Sequence, residues 1–479
     1  MDNVLLDKIE KKIDNDEFES AQQLLQGVVV DELPDHQRLR YFFLLAKVYF
    51  EQDVDDLVMP TLQHVFENAD KFVEIDRAYL MAAVHHVFQS EEKDGDDKQA
   101  DLRRARDFFD KIMDPTELSI NEQDIYYFRR GLLELYSNQL EESIQNFKMV
   151  LTVHSPDGDM AAVHGYLAGA NKDLKNYDEA LHHYDLAINN TKKDNARHKA
   201  FLKLDKARLL DTIGLPQKGI SVALDIIKEF EEDEEISMYS YGVLGYAFYS
   251  KKEYDESLIY FNRALEIAKA TGRDTTNYLF RCAINYRFLE DFDTAEKLAR
   301  DALAGTSDGT YIQLIYVELF RQYMYSDRYE KAIEMLQNLI EKYPDYEDLG
   351  WAYLMIGHMH SLLDKHREAI DFFAKSLQVP KKDDEDRISA LDFTAYCHLK
   401  LDDVDKAMEM CLEIIDEYLE GPNLAWAHAV LARCYFEKGM KIEAREQAEK
   451  AQQYKPPESE VYSFGEKVLE DILKDLGIK

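Results

Sequence analysis

Histidine, cysteine and carboxylate side chains are the residues of this 479-residue sequence that could bind a metal or perform acid–base chemistry. The histidines offer no chelating pattern. The pairs His85–His86 and His182–His183 are adjacent in sequence, so on a helix their side chains point about 100° apart. His358 and His360 are two residues apart and also face away from each other. We therefore expect helix-face histidines and no bound metal.

The cysteines and the catalytic motifs lead to the same expectation. All four cysteines fall inside predicted helices without a C-x-x-C pair, which is typical of packed thiols in a reducing compartment. They are Cys282, Cys397, Cys411 and Cys434. The sequence has no G-x-S-x-G elbow, P-loop, G-x-G-x-x-G or H-E-x-x-H motif. We predict a protein that is not an enzyme and takes no cofactor.

A period of about 37 residues runs through the chain and organises these side chains. A small or β-branched residue recurs at a nearly constant spacing, apart from one longer step between Val58 and Ala105. A fixed period in this range indicates a repeat architecture, in which each repeat buries its apolar face against its neighbours. The recurring residues are Ala21, Val58, Ala105, Ser143, Ala180, Gly219, Ser257, Ala295, Ala332, Ala369, Ala407 and Ala444.

Each repeat is predicted to be two amphipathic helices. In the seventh repeat, Leu244, Gly245 and Phe248 share one helical stripe, and Ser257 and Phe261 share the next. A second small residue precedes most of the recurring residues by twelve positions, which lets two helix backbones approach closely. No alternating pattern suggests a sheet. The fold prediction is therefore all-α, with about twelve repeats.

The boundaries of the array follow from the same pattern. We predict one continuous solenoid over residues 1–457, with an insertion near 89–101 in the third repeat. The acidic run Glu91–Asp97 in this insertion lacks calcium-loop spacing and is interpreted as a solvated loop. Residues 458–479 are predicted to form a C-terminal capping helix, which solenoids need to cover the last apolar face.

The repeats resemble the tetratricopeptide repeat (TPR) family. The matching residues are the aromatic–Leu–Gly–aromatic run of Tyr241–Phe248, the run Ala180, Tyr184 and Ala187, and the closing proline at Pro344. The resemblance covers about residues 4–457, with a period longer than the 34 residues usual in the family. It implies a right-handed α-α superhelix of about 24 repeat helices plus the cap, in a bacterial cytosolic protein.

The resemblance also implies a binding site. In the TPR family the first helices line the concave groove, and positions carried over by offset are aromatic here, with interspersed arginine. An alternative is that these aromatics pack across adjacent first helices. We expect a segment with apolar anchors and some acidic character to bind. The predicted groove residues are Tyr239, Tyr246, Tyr249, Phe280, Arg287, Arg321, Tyr325, Trp351, Trp426 and Arg433.

The net charge and the targeting signals limit which partners and which compartment we expect. A net charge of −36 argues against nucleic-acid binding. The sequence shows neither a signal peptide nor an apolar run long enough to span a membrane, so we expect a cytoplasmic location. The predicted function is a protein- or peptide-binding scaffold. The alternatives are a peptide-sensing TPR receptor of the Gram-positive type without its own DNA-binding domain, and an enzyme whose site we do not recognise.

Overall fold

The computed structural model describes residues 2–93, 95–153, 155, 158–380, 385–418, 424–454, 470, 472–475 and 477. These residues form 24 α-helices, three short 3-10 turns and a further helical stretch at 470 and 472–475, and none of them forms a strand. The chain divides into two compact halves, residues 1–247 and 248–479. The boundary falls within the helix Glu234–Ser250. The all-α repeat fold predicted from the sequence is confirmed.

The helices follow one another in pairs, and each pair corresponds to one predicted repeat. The N-terminal half contains α1 (Asp2–Ile13), α2 (Phe18–Gln26), α3 (Asp35–Glu51), α4 (Asp55–Phe66), α5 (Ile75–Glu91), α6 (Gly95–Phe109), α7 (Ile120–Tyr136), α8 (Leu140–Val153), α9 (Met160–Asp173), α10 (Tyr177–Asn190), α11 (Ala196–Thr212) and α12 (Pro216–Glu229). The next helix, α13 (Glu234–Ser250), crosses the boundary. The C-terminal half continues with α14 (Tyr254–Ala270), α15 (Thr276–Phe288), α16 (Phe292–Gly305), α17 (Gly309–Tyr325), α18 (Tyr329–Lys342), α19 (Leu349–Leu362), α20 (His366–Gln378), α21 (Glu385–Lys400), α22 (Val404–Glu417), α23 (Leu424–Glu437) and α24 (Lys441–Gln453).

One backbone conformation turns the chain inside almost every repeat. Five residues before the recurring small residue, the chain has a positive φ between 55° and 80°. The following N–H then bonds back to the first helix, as from Asn176 to the carbonyl of Asn171 at 2.8 Å. This left-handed cap ends the first helix and starts the second at a constant angle. The residues are Asp16, Asp53, Asn138, Lys175, Gly214, Lys252, Glu290, Asp327, Asp364, Asp402 and Gly439.

The third repeat differs, and it corrects one prediction. The acidic run at 91–97 is only partly a loop, because Glu91 ends α5 and residues 95–97 begin α6, while residues 92 and 93 lie outside both helices. The inserted residues extend α6 at its N-terminus, where acidic side chains favour a helix. Asp101 is buried in this extension, and its carboxylate accepts hydrogen bonds from Lys93 at 2.6 Å and Arg104 at 3.0 Å.

The C-terminal end carries part of the predicted cap. Most of residues 458–479 lie outside the described residues, so a complete capping helix stays a prediction. Residues 470 and 472–475 are helical. Ile472 is fully buried against four alanines of the last repeat, Ala429, Ala432, Ala448 and Ala451. In the part of the chain that the structure describes, no helix combines the length and apolar character needed to cross a membrane.

Small residues hold the two helices of a repeat together, and they predict the effect of a substitution. A Cβ at Gly357 would lie 2.5 Å from the ring of Phe373, which is fully buried. We expect Gly357→Ala to lower the free energy of unfolding by about 1–3 kcal/mol, because the ring has no space to move into. Hydrogen exchange should show the loss concentrated in α19 and α20, since a repeat packs mainly against its neighbours.

Gly169 provides the matched control for this prediction. It lies in α9, where an added Cβ would meet nothing within 4 Å. Gly169→Ala should therefore be neutral, or stabilising by about 0.5–1 kcal/mol because alanine favours the helix. Equal destabilisation by both substitutions would show that helix spacing does not depend on the small residue.

Candidate interaction face of the first helices

The first helices of repeats eight to twelve, α15, α17, α19, α21 and α23, form the first-helix face of the C-terminal half. Both tryptophans of the chain lie on this face and pack against the preceding first helix. Trp351 meets Phe320 edge-on with ring centroids 5.6 Å apart, and Trp426 meets Phe393 in the same way at 5.3 Å. These contacts support the interpretation that the aromatic residues pack across adjacent first helices.

The predicted groove residues do not share one environment. Phe280 and Trp426 are buried, whereas Trp351, Tyr249 and Arg433 are partly exposed. Buried aromatics of this kind build the face but offer little surface to a partner.

Two of the predicted residues, Tyr239 and Tyr246, belong to the N-terminal half. Tyr239 packs edge-on against Phe201 at 5.5 Å, and the guanidinium of Arg208 lies 5.7 Å from the ring centroid of Tyr246. They therefore extend the packing of the N-terminal half.

Arg287 is engaged inside the protein. Its Nε donates to Oε1 of Glu318 at 2.7 Å, across α15 and α17, and both side chains are more than nine-tenths buried. Gln322 donates to the same carboxylate oxygen at 3.2 Å, and the guanidinium lies 4.3 Å from the ring centroid of Phe288. Burial raises the pKa of the neighbouring Tyr249. Arg287 therefore joins two repeats in the folded chain.

Arg433 is also paired. It binds Glu437, four residues later, at 2.6 Å, and it binds Asp475 in the last described helical segment. Asp475 shows that an arginine in this register can hold a carboxylate from another segment. Arg321 occupies the corresponding position of its repeat. It follows Phe320, which stands where most first helices have a small residue.

Arg321 is an exposed cation of the face. It forms no hydrogen bond or ion pair with any described residue. Leu314 and Tyr325 lie seven residues before and four residues after it, so all three share one stripe of α17. Leu314 is 45% exposed and Tyr325 is 41% exposed. This stripe, Leu314–Arg321–Tyr325, can offer two apolar contacts around one guanidinium.

In the N-terminal half, two arginines of the first helices bind carboxylates of neighbouring first helices. Arg40 binds Asp7 at 2.6 Å and also Glu10, both on α1. Arg77 binds Glu122 of α7 at 2.6 Å and Glu10 at 3.2 Å. These ion pairs join α1, α3, α5 and α7, so their cations are already neutralised.

Asp392 is a buried acid that the sequence reasoning missed. It is 4% exposed, and its Oδ1 has no hydrogen-bond partner among the described residues. Burial raises the pKa of this carboxyl well above its ordinary value. Its position within the repeat could have indicated this burial. The residues at the same position in repeats eight to ten are all apolar and buried, namely Phe280, Val317 and Leu354. A neutral acid there can pack but costs stability.

A metal site needs several His, Cys, Asp or Glu side chains close together. No group of three or more His, Cys, Asp or Glu side chains that could hold a metal occurs among the described residues. All four cysteines are buried and free. Burial raises the pKa of the Cys282 thiol to about 12, so this thiol is not activated.

Comparisons with known proteins agree with this architecture. The chain is similar in structure to a signal-transduction ATPase with a tetratricopeptide repeat sensor from Pyrococcus horikoshii, with a TM-score of 0.54 and 15% sequence identity over 96% of this chain and 74% of that one. This likeness shows the fold alone. The apo form of the quorum sensor NprR from B. thuringiensis gives a TM-score of 0.48 and 14% identity over 78% of this chain and 97% of that one.

The sequence matches a family model over part of its length. No curated protein matches the sequence. The profile of the tetratricopeptide repeat matches residues 234–307 and 312–382, which span α13 to α20 and include Arg321 and its stripe. The helix pairs outside this region continue the same architecture in both directions. Residues 234–307 and 312–382 are therefore tetratricopeptide repeats.

Proposed function

We propose that this protein is a non-enzymatic scaffold that binds a segment of a partner protein on the first-helix face of its C-terminal half. The TPR fold is that of protein-interaction scaffolds, which use the extended surface of their stacked repeats. The observation that carries the proposal is the exposed stripe of α17, where Arg321 lies between Leu314 and Tyr325 without an ionic partner among the described residues.

The chemistry of the stripe defines the segment that fits it. A guanidinium offers directional, charge-assisted hydrogen bonds to a carboxylate, and Arg433 with Asp475 shows this pairing in the same register. Tyrosine and leucine supply apolar contact area, and tyrosine does so at low entropic cost. The segment should therefore carry an acidic residue with apolar residues on both sides, even though the protein has a net charge of −36.

A double substitution on the stripe tests the proposal. Full-length protein should capture a partner from native lysate, and Arg321→Ala/Tyr325→Ala should weaken that partner's binding at least tenfold, about 1.4 kcal/mol. Isothermal titration with the purified partner measures the change, and circular dichroism checks that helicity is retained. A short peptide as the captured partner would indicate a peptide receptor using the same site.

The matched control lies on the second helix of repeat seven. Ile259 is 60% exposed, and Arg263 is exposed four residues later on α14. Ile259→Ala/Arg263→Ala removes the same kinds of side chain from another surface and should leave binding unchanged. If the control weakens binding while the stripe variant does not, the partner uses the second helices and the proposal is wrong.

We also propose a cytoplasmic location. Four buried cysteines without a disulfide are expected where thiols stay reduced. Fractionation of the native cells, with the protein followed by an antibody, tests this placement. Recovery from an oxidising compartment would contradict it.

A further inference from the structure

The connections between the first four repeats differ from all later ones. They comprise residues 27–34, 67–74 and 110–119, whereas every later connection is shorter, as at 191–195 and 343–348. Each of the three contains one 3-10 turn, and the described residues have no other 3-10 turn. Because every repeat is a helical hairpin, these three connections lie at the same end of their helix pairs and form one edge. We call it the connection edge.

Large apolar side chains project from the connection edge into solvent. Val73 is 98% exposed, Met113 is 90% exposed and Val29 is 59% exposed. Ile120, the first residue of α7, adds a fourth at 57%. Among the described residues of the later connections, no large apolar side chain is exposed to this degree. The apolar edge is therefore a property of the N-terminal half and not of connections in general.

The exposure is imposed by ordered backbone. The residues before Val73 and Met113, Phe72 and Ile112, are buried in two separate core clusters of this half. In the third connection, Gln123 donates to the carbonyl oxygen of Leu118 at 2.8 Å. Anchoring one residue of each pair inside the core turns its neighbour outward. The edge is thus held in place before any partner arrives.

The charge around these apolar residues is negative, although Arg77 pairs with Glu74 and Arg130 pairs with Asp110. The three connections contain eight acidic residues and two lysines. Asp70 and Asp114 are exposed beside the apolar residues, whereas the ammonium of Lys111 lies 4.6 Å from the ring centroid of Phe108. A second copy of the same edge would be repelled, as would an anionic membrane or a nucleic acid.

We propose that the connection edge docks a basic amphipathic segment of a partner protein. Apolar residues of the segment would cover Val73 and Met113, while its lysines or arginines would face the surrounding carboxylates. Two steps between neighbouring helix pairs, about 8–10 Å each, span roughly 20 Å. A helix of about 14 residues covers that length. This site is separate from the α17 stripe and requires the opposite charge.

The test uses the full-length protein and a synthetic peptide. The probe is a fluorescent amphipathic peptide of about 18 residues, long enough to cover the edge, with leucine on one helical face and lysine on the other. Fluorescence anisotropy should show at least tenfold weaker binding to Val73→Ser/Met113→Ser than to the unchanged protein. A second peptide, with serine in place of leucine, should bind weakly to both proteins.

Two controls separate this proposal from its competitors. Leu215→Ser/Leu224→Ser removes exposed apolar residues elsewhere in the same half, and Arg321→Ala/Tyr325→Ala removes the α17 stripe. Both should bind the leucine–lysine peptide as the unchanged protein does. If all variants bound the peptide equally, the interaction would depend on charge alone and the proposal would be wrong. A dimer that dissociates in Val73→Ser/Met113→Ser, or binding to anionic phosphatidylglycerol vesicles, would also overturn it.

Discussion

Replacing Arg287 by methionine is expected to lower the free energy of unfolding of the C-terminal half by about 3–5 kcal/mol. The substitution removes the ionic partner of Glu318, which is 1% exposed. A buried carboxylate without its counter-ion is destabilised by the full free energy of its desolvation. Urea unfolding of the full-length protein, together with hydrogen exchange in α15 and α17, measures the loss.

A second substitution should recover most of this stability. In Arg287→Met/Glu318→Leu both charges are replaced by apolar groups, and such replacements of a buried ion pair are often neutral. Arg263→Met removes an arginine from the surface of α14 and should change stability by less than about 0.5 kcal/mol. If Arg287→Met behaves like Arg263→Met, Glu318 reaches water and the pair does not join the two repeats.

Acidification is expected to weaken the fifth repeat through a buried pair of histidines. Nδ1 of His164 on α9 lies 3.1 Å from Nδ1 of His183 on α10, and both rings are buried. One imidazole donates and the other accepts, so at least one stays neutral. Burial, followed by the neighbouring His164, lowers the pKa of His183 to about 4. The pKa of a histidine in the unfolded chain is about 6.5.

The sign of the pH effect follows from proton counts. Between about pH 6.5 and 4 the unfolded chain binds a proton at this position and the folded chain does not, so stability falls as the pH falls. Allowing for solvent screening, the loss from His183 should be about 2 kcal/mol over this window. Urea unfolding at pH 6.5 and at pH 4 measures it.

The matched variant copies another repeat of the same chain. Tyr353 and Phe372 occupy the corresponding positions of repeat ten, with ring centroids 6.4 Å apart. His164→Tyr/His183→Phe should therefore fold and should lose less stability than the unchanged protein on acidification. The raised pKa of Asp392 makes stability rise as the pH falls, which is the opposite direction. Asp392 is present in both proteins, so its contribution cancels in the comparison. Equal losses in the two proteins would show that the pair does not titrate as stated.

The fold could be predicted because every repeat restates the same pattern. The recurring small residues placed twelve helix pairs, and the structure has those pairs. The turn geometry was missed although its signal is visible, since Asp, Asn or Gly occupies most of the positions with positive φ. The acidic run at 91–97 misled because its composition is typical of a loop, whereas acidic residues also favour a helix N-terminus.

The interaction face was harder to predict because its chemistry depends on pairs from different repeats. An offset within one repeat identifies Arg287 and Arg321 as equally suited to a ligand. Only the fold shows that Glu318, 31 residues after Arg287, already binds it. Asp392 escaped notice for a related reason: its burial is set by neighbouring helices and not by its own sequence context.

Site-specific photo-crosslinking tests the central claim, that the α17 stripe binds a partner segment. A photoreactive phenylalanine analogue would replace Leu314 on the stripe or, as the control, Ile259 on α14, in full-length protein produced in its native cells. We predict a discrete adduct from position 314 that disappears when Arg321→Ala is added, and none from position 259. An adduct from position 259 alone, or adducts of equal yield from both positions, would contradict the claim.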